Sequence, residues 1–114
     1  MEISFAGYGE KVATFKVAAK IDEGTFVKMN GNGTVAACTG EEEIAGVIVS
    51  SSDSYAAVQL GGVVTAPVAT GVNGMAAGYR VLSAVGKNLV INDDDCSIKR
   101  LVLACENGKA TFIL

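Results

Sequence analysis

The longest stretch that is both apolar and rich in strand-forming residues lies mid-chain: Ser54-Tyr55-Ala56-Ala57-Val58-Gln59-Leu60-Gly61-Gly62-Val63-Val64-Thr65-Ala66-Pro67-Val68. Tyr55, Ala57 and Gln59 alternate with Ala56, Val58 and Leu60, a period of two that predicts a strand with two different faces. Gly61-Gly62 then permits a sharp change of direction or a close backbone approach, and a second strand is expected from Val63. Pro67 has no N–H to give to a ladder, so that second strand should end on a sheet edge or leave the sheet.

Upstream, Phe15, Val17, Ala19 and Ile21 alternate with Lys16, Ala18 and Lys20, which predicts a strand with one wet face, turned by Asp22-Glu23-Gly24. Residues 25–29 and 34–38 flank Asn30-Gly31-Asn32-Gly33, and the Asn-Gly dipeptides predict a β-hairpin. Residues 44–49 are a near-continuous apolar run, the pattern of a strand buried on both faces, followed by a Ser50-Ser51-Ser52-Asp53 loop. Downstream, Thr70-Gly71-Val72-Asn73-Gly74 reads as a connector and Met75-Ala76-Ala77 as one short helical turn; no longer helix is expected. Strands are then expected around a turn at Val85-Gly86-Lys87-Asn88 and around a second hairpin dipeptide, Asn107-Gly108. A tail of Phe112-Ile113-Leu114 should be tied into a sheet, because left free it would invite aggregation.

The pattern repeats. Residues 23–60 can be laid without a gap on residues 77–114, an offset of 54, so that Gly24 falls on Gly78, Val27 on Val81, Val35 on Leu89, Ile44 on Ile98, Ala56 on Ala110 and Leu60 on Leu114. Only five of the 38 aligned positions are identical, so the weight rests on the shared order of turns and apolar runs. The expected fold is all-β, a small barrel or sandwich of β-clip type built from two duplicated hairpin-rich halves. A chain of 114 residues makes one domain, here residues 10–114, preceded by an arm of residues 1–9 in which Ile3, Phe5 and Tyr8 are the large apolar side chains.

Composition narrows the function. Half of the residues are hydrophobic but only 6% are aromatic and none is Trp, so the core is expected to be of Val, Ile, Leu and Ala. Charged residues make up only 18%, less polar surface than an isolated domain carries, which predicts that another subunit covers part of the apolar surface. The Gly61, Gly62, Val63 and Val64 stretch, where backbones can approach closely, is the expected oligomer interface. A net charge of −3 with scattered basic residues argues against nucleic-acid binding. No apolar run reaches membrane-span length, and the first residues lack the basic flank and apolar block of a secretory signal. Cys38, Cys96 and Cys105, an odd number without CxxC spacing, fit reduced cysteines in a cytoplasm.

Chemistry is sparse. With no His, a serine or cysteine nucleophile lacks its usual base and a zinc site its commonest ligand, so no enzyme and no cofactor is expected. Gly31-Asn32-Gly33 is not followed by a helix that could place its N-terminus under a phosphate. Glu41-Glu42-Glu43 and Asp93-Asp94-Asp95 fall in corresponding loops, but consecutive side chains point apart, so solvated loops are expected rather than a cation site.

The strand running into Glu23-Gly24-Thr25-Phe26-Val27, the segments Ile44-Ala45-Gly46-Val47 and Ala57-Val58-Gln59-Leu60-Gly61-Gly62-Val63-Val64, Ala77-Gly78-Tyr79-Arg80-Val81 and the terminal residues 110–114 carry a resemblance. Over residues 10–114 the chain resembles the small duplicated β proteins that decorate and stabilise the heads of tailed phages and prophages. The resemblance implies a non-enzymatic protein made in the host bacterial cytoplasm and ending on the virion surface. It further implies a homotrimer on the outer face of the major capsid protein shell, with residues 1–9 matching the gripping arm. The alternative is a small β-barrel domain that binds a sugar or other small ligand, for which a cleft lined by Tyr55, Tyr79 and Arg80 would speak.

Overall fold

A computed structural model describes residues 11–39, 42–72, 75–91 and 99–114, and all its regular elements are strands. They are β1 (Lys11–Lys16), β2 (Phe26–Met29), β3 (Val35–Ala37), β4 (Glu42–Glu43), β5 (Gly46–Ser51), β6 (Tyr55–Gly61), β7 (Val63–Pro67), β8 (Gly78–Val85), β9 (Asn88–Ile91), β10 (Lys99–Glu106) and β11 (Lys109–Ile113). The first five-stranded sheet has the order β1-β6-β5-β2-β3. The second runs β7-β11-β10-β8, with β9 also on β8, and β4 of the first half added to β8's other flank. Every ladder is antiparallel.

The two orders match strand for strand: β1 corresponds to β7, β2 to β8, β3 to β9, β5 to β10 and β6 to β11. The match extends to irregularities. The β5–β6 ladder shifts register between Ile48 and Ser50, and the β10–β11 ladder shifts between Val102 and Ala104, the same places at the 54-residue offset. Each sheet also curls until its ends meet through a parallel bridge, Lys16 to Thr34 in the first and Val68 to Leu89 in the second. Such curling closes most of the edge that a flat sheet would leave open.

Local turn chemistry explains the hairpins. Gly31 (φ 136°) and Gly33 (φ 64°) carry the β2–β3 turn, and Asn107 (φ 54°) with Gly108 (φ 73°) forms the β10–β11 turn with both central residues left-handed. Three expectations need correction. The strand expected through Ile21 stops at Lys16, because its partner β6 begins at Tyr55; Val17 makes one last bond, N–H to the Ser54 carbonyl at 3.0 Å, and the chain leaves the ladder. Met75-Ala76-Ala77 forms no helical turn, although Met75 packs against the core. Ser50 and Ser51 belong to β5 rather than to a loop, since Ala57 and Ala56 pair with them.

Two cores result. Val17, Val27, Val35, Ile48, Ala56 and Val58 fill the first sheet's concave side. Leu89, Val102, Ala110 and Phe112, the counterparts of the last four, line the second, which also takes in Phe26, Cys38, Ile44 and Val47 from the first half. The second core is therefore the joint between the halves. Of the run at residues 44–49, expected as one strand buried on both faces, only the part up to Ile48 is so buried, with Ile48 facing the first core and Ile44 and Val47 the second; the strand begins at Gly46, and Val49, at the bulge, is exposed.

Candidate functional site

Gly62 (φ 90°), buried, turns β6 into β7 and carries the chain from one half to the other. Its carbonyl accepts the Leu114 N–H at 2.9 Å, so the last residue of the chain is tied down beside this corner. Lys11, opposite Gly61, lies there too. β7 then runs as the last strand of the second sheet. Among the described residues its outer edge has no ladder partner until Val68, as Pro67 led one to expect.

Between that edge and the outer side of β5 lies an open groove of about 470 Å³, lined by Val47, Val49, Gln59, Val64, Pro67 and Lys87 among others. Its floor is apolar, since Val47 is buried and Val49 is pushed outward by the β5 bulge. Lys87 at its rim approaches Asp22 at 4.0 Å, an exposed pair that contributes little to stability. The Phe26 N–H donates to the Gly86 carbonyl at 2.9 Å and the Phe26 ring lies 6.1 Å from that of Phe112, so the halves are joined at the groove's deep end.

A second, shallower depression of about 350 Å³ is lined by Tyr79, Lys99, Arg100, Leu101, Ile113 and Leu114. Arg100 is half-buried and reaches away from it, its Nη2 donating to the Ile44 carbonyl at 2.7 Å. That link between halves had no signal in the sequence. Tyr55, Tyr79 and Arg80 do not form one cleft: Tyr55 stands opposite Lys16 on the first sheet, and Arg80 donates to the Tyr79 and Ala77 carbonyls on its own strand and loop, at 2.9 and 3.3 Å.

Of the residues marked out by the sequence, Gly61, Gly62, Val63 and Val64 form the corner between the sheets, and Val63 and Val64 line the groove within one chain. Ile3, Phe5 and Tyr8 lie outside the described residues, as do Glu41, Asp93, Asp94, Asp95 and Cys96. Glu42 and Glu43 are not a loop: their backbone is β4, paired with Ala84 and Ser83 of β8. Cys38 is buried and Cys105 exposed. Among the described residues no three His, Cys, Asp or Glu gather where they could hold a metal, and no helix is long and apolar enough to cross a membrane. What the surface offers is backbone edge and apolar side chains, the means of binding another chain by strand addition and packing. No family model matches this chain, and no curated protein sequence matches it either.

Proposed function

We propose that this protein is a non-enzymatic structural protein of a tailed-phage or prophage head, which binds the outer face of the major capsid protein shell as an oligomer, most simply a trimer, and stabilises it. The observation that carries the reading is the corner at Gly61-Gly62. There Lys11, which follows the arm of residues 1–9 in the chain, stands opposite Gly61, and Gly62 leads into β7, whose outer edge has no ladder partner before Val68 among the described residues. Decoration needs a small rigid body, surfaces for its own copies and a segment that grips the shell, and it needs no catalytic group. In this reading the arm pairs with a strand edge of the capsid protein, and Ile3, Phe5 and Tyr8 fill pockets there and set the register. Ordering nine residues costs roughly 1–2 kcal/mol each, so one arm binds weakly and several linked arms bind firmly.

Co-sedimentation with shells assembled from the major capsid protein of the same phage tests it. The full chain is expected to pellet with shells and to raise the temperature at which they come apart, and deletion of residues 1–9 to abolish both while leaving the β domain folded. A full chain that stays in the supernatant at micromolar concentration would refute the reading.

A further inference from the structure

The sequence carries Asn-Gly four times, at residues 30–31, 32–33, 73–74 and 107–108, and the third lies outside the described residues. An Asn followed by Gly is open to attack by the main chain on its own side chain, because no Cβ on the next residue hinders the attacking nitrogen. The ring that such attack forms contains the Asn Cα–C bond. Rotation about that bond therefore decides whether the Gly nitrogen can reach the side-chain carbon, and the two hairpins set it differently.

Asn107 is left-handed, at φ 54°, in a two-residue turn clasped by the Glu106–Lys109 pair. In such a turn the Gly108 nitrogen stands on the far side of the Cα–C bond from the Asn107 Cβ, so cyclisation has to unmake the turn first. Asn32 lies in the middle of the loop 31–33 and outside the left-handed region. It and Gly33 are exposed, and among the described residues neither N–H meets an acceptor. A Cβ built on Gly33 would meet nothing within 4 Å, so the space about this step is open. The Thr34 hydroxyl donates to the Asn32 carbonyl at 3.3 Å, which favours the charge that this oxygen takes up when the Gly33 N–H loses its proton. Asn30 is held more firmly, its own N–H on the Thr34 carbonyl at 2.8 Å and the Gly31 carbonyl accepting the Thr34 N–H at 3.3 Å.

We infer that Asn32 is a site of spontaneous deamidation that needs only water, and that the change loosens the seam of the first sheet. Solvent hydroxide takes the Gly33 N–H proton, the nitrogen bonds to the Asn32 Cγ, and the bond from Cγ to the side-chain nitrogen breaks as ammonia leaves with a proton from water. Water then opens the cyclic imide. Attack at the side-chain carbonyl leaves aspartate; attack at the main-chain carbonyl leaves isoaspartate, in which the chain runs on through Cγ and is one atom longer. The Gly33 carbonyl, next along, accepts the Lys16 N–H at 2.8 Å, and Lys16 to Thr34 is the bridge at which the first sheet closes. An extra main-chain atom displaces that carbonyl, whereas aspartate only adds a negative charge. The inference concerns the β domain alone and does not depend on a capsid being the target.

Peptide mapping by mass spectrometry on the full chain, held in mildly alkaline buffer, tests the site, with the same chain in denaturant as reference. In the folded protein Asn32 is expected to convert about tenfold or more faster than Asn107, whose turn must open first. In denaturant, where neither turn persists, the two are expected to convert at similar rates. The unfolding midpoint tests the seam. It is expected to fall as the parent ages, to stay at the fresh parent's value in Asn32→Asp, which carries the charge without the extra atom, and to hold on ageing in Asn32→Gln, whose longer side chain disfavours the ring. Asn107 converting as fast as Asn32 in the folded protein, or Asn32 staying intact there while it converts in denaturant, would overturn the site. An aged parent that keeps its midpoint, or an aged Asn32→Gln that loses as much as the parent, would overturn the effect on the seam.

Discussion

Replacing Phe26 by alanine is expected to destabilise both sheets at once. The ring is fully buried in the core that joins the halves and tilts 38° against Phe112, and its strand pairs with β5 while its N–H reaches across to Gly86. Truncating a core Phe to Ala costs about 3–5 kcal/mol, and the lost ring pair accounts for about 0.5–1.5 kcal/mol of such a cost. For 114 residues an unfolding entropy of about 2.1 cal/mol/K per residue sums to about 0.24 kcal/mol/K, so the midpoint should fall by about 12–20 °C. Calorimetry at one fixed protein concentration reads this directly, with a single transition before and after. Met29→Ala is the control: the residue is on the same strand but 51% exposed, and the change should stay within about 0.5 kcal/mol, or about 2 °C. A fall of less than about 4 °C for Phe26→Ala, or a split into two transitions with one at the original midpoint, would show that the halves do not share a core through this residue.

Other substitutions probe single features. A Cβ on Gly46 would stand 2.5 Å from the Gln59 carbonyl oxygen and 2.5 Å from Val58 Cγ1, so Gly46→Ala should cost about 1–3 kcal/mol in chemical denaturation. A neutral result would mean that β5 and β6 can separate freely there. Gly108 has φ 73°, so Gly108→Ala should cost about 1–2 kcal/mol, while Asn107→Gly, at φ 54°, should be nearly neutral in the same assay. In a Cys96→Ser background, a thiol reagent should label one cysteine of the folded protein, the exposed Cys105, and reach buried Cys38 only on unfolding. Equal rates for both would contradict the packing around Cys38.

The sequence alone determined the strand class, the hairpins and the repeat. These depend on information held within a few residues of each other: a period of two marks a strand, and Asn-Gly or Gly-Gly supplies the backbone angles of a turn wherever the turn sits in the fold. Pro67 likewise announced an edge, because a missing N–H is a property of the residue itself. The tertiary structure decided what lies against each face. Periodicity says that Phe26 and Val27 point opposite ways, but not that the side carrying Phe26 is closed by β7 and Gly86 while the equivalent side carrying Tyr79 is left open. Nor could composition reveal that Glu42-Glu43, read as a solvated break, lends its backbone to β8 of the other half. Side chains there are charged, but a ladder is made by the main chain, and its partner is fixed by how two curled sheets meet rather than by any residue near Glu42 in sequence.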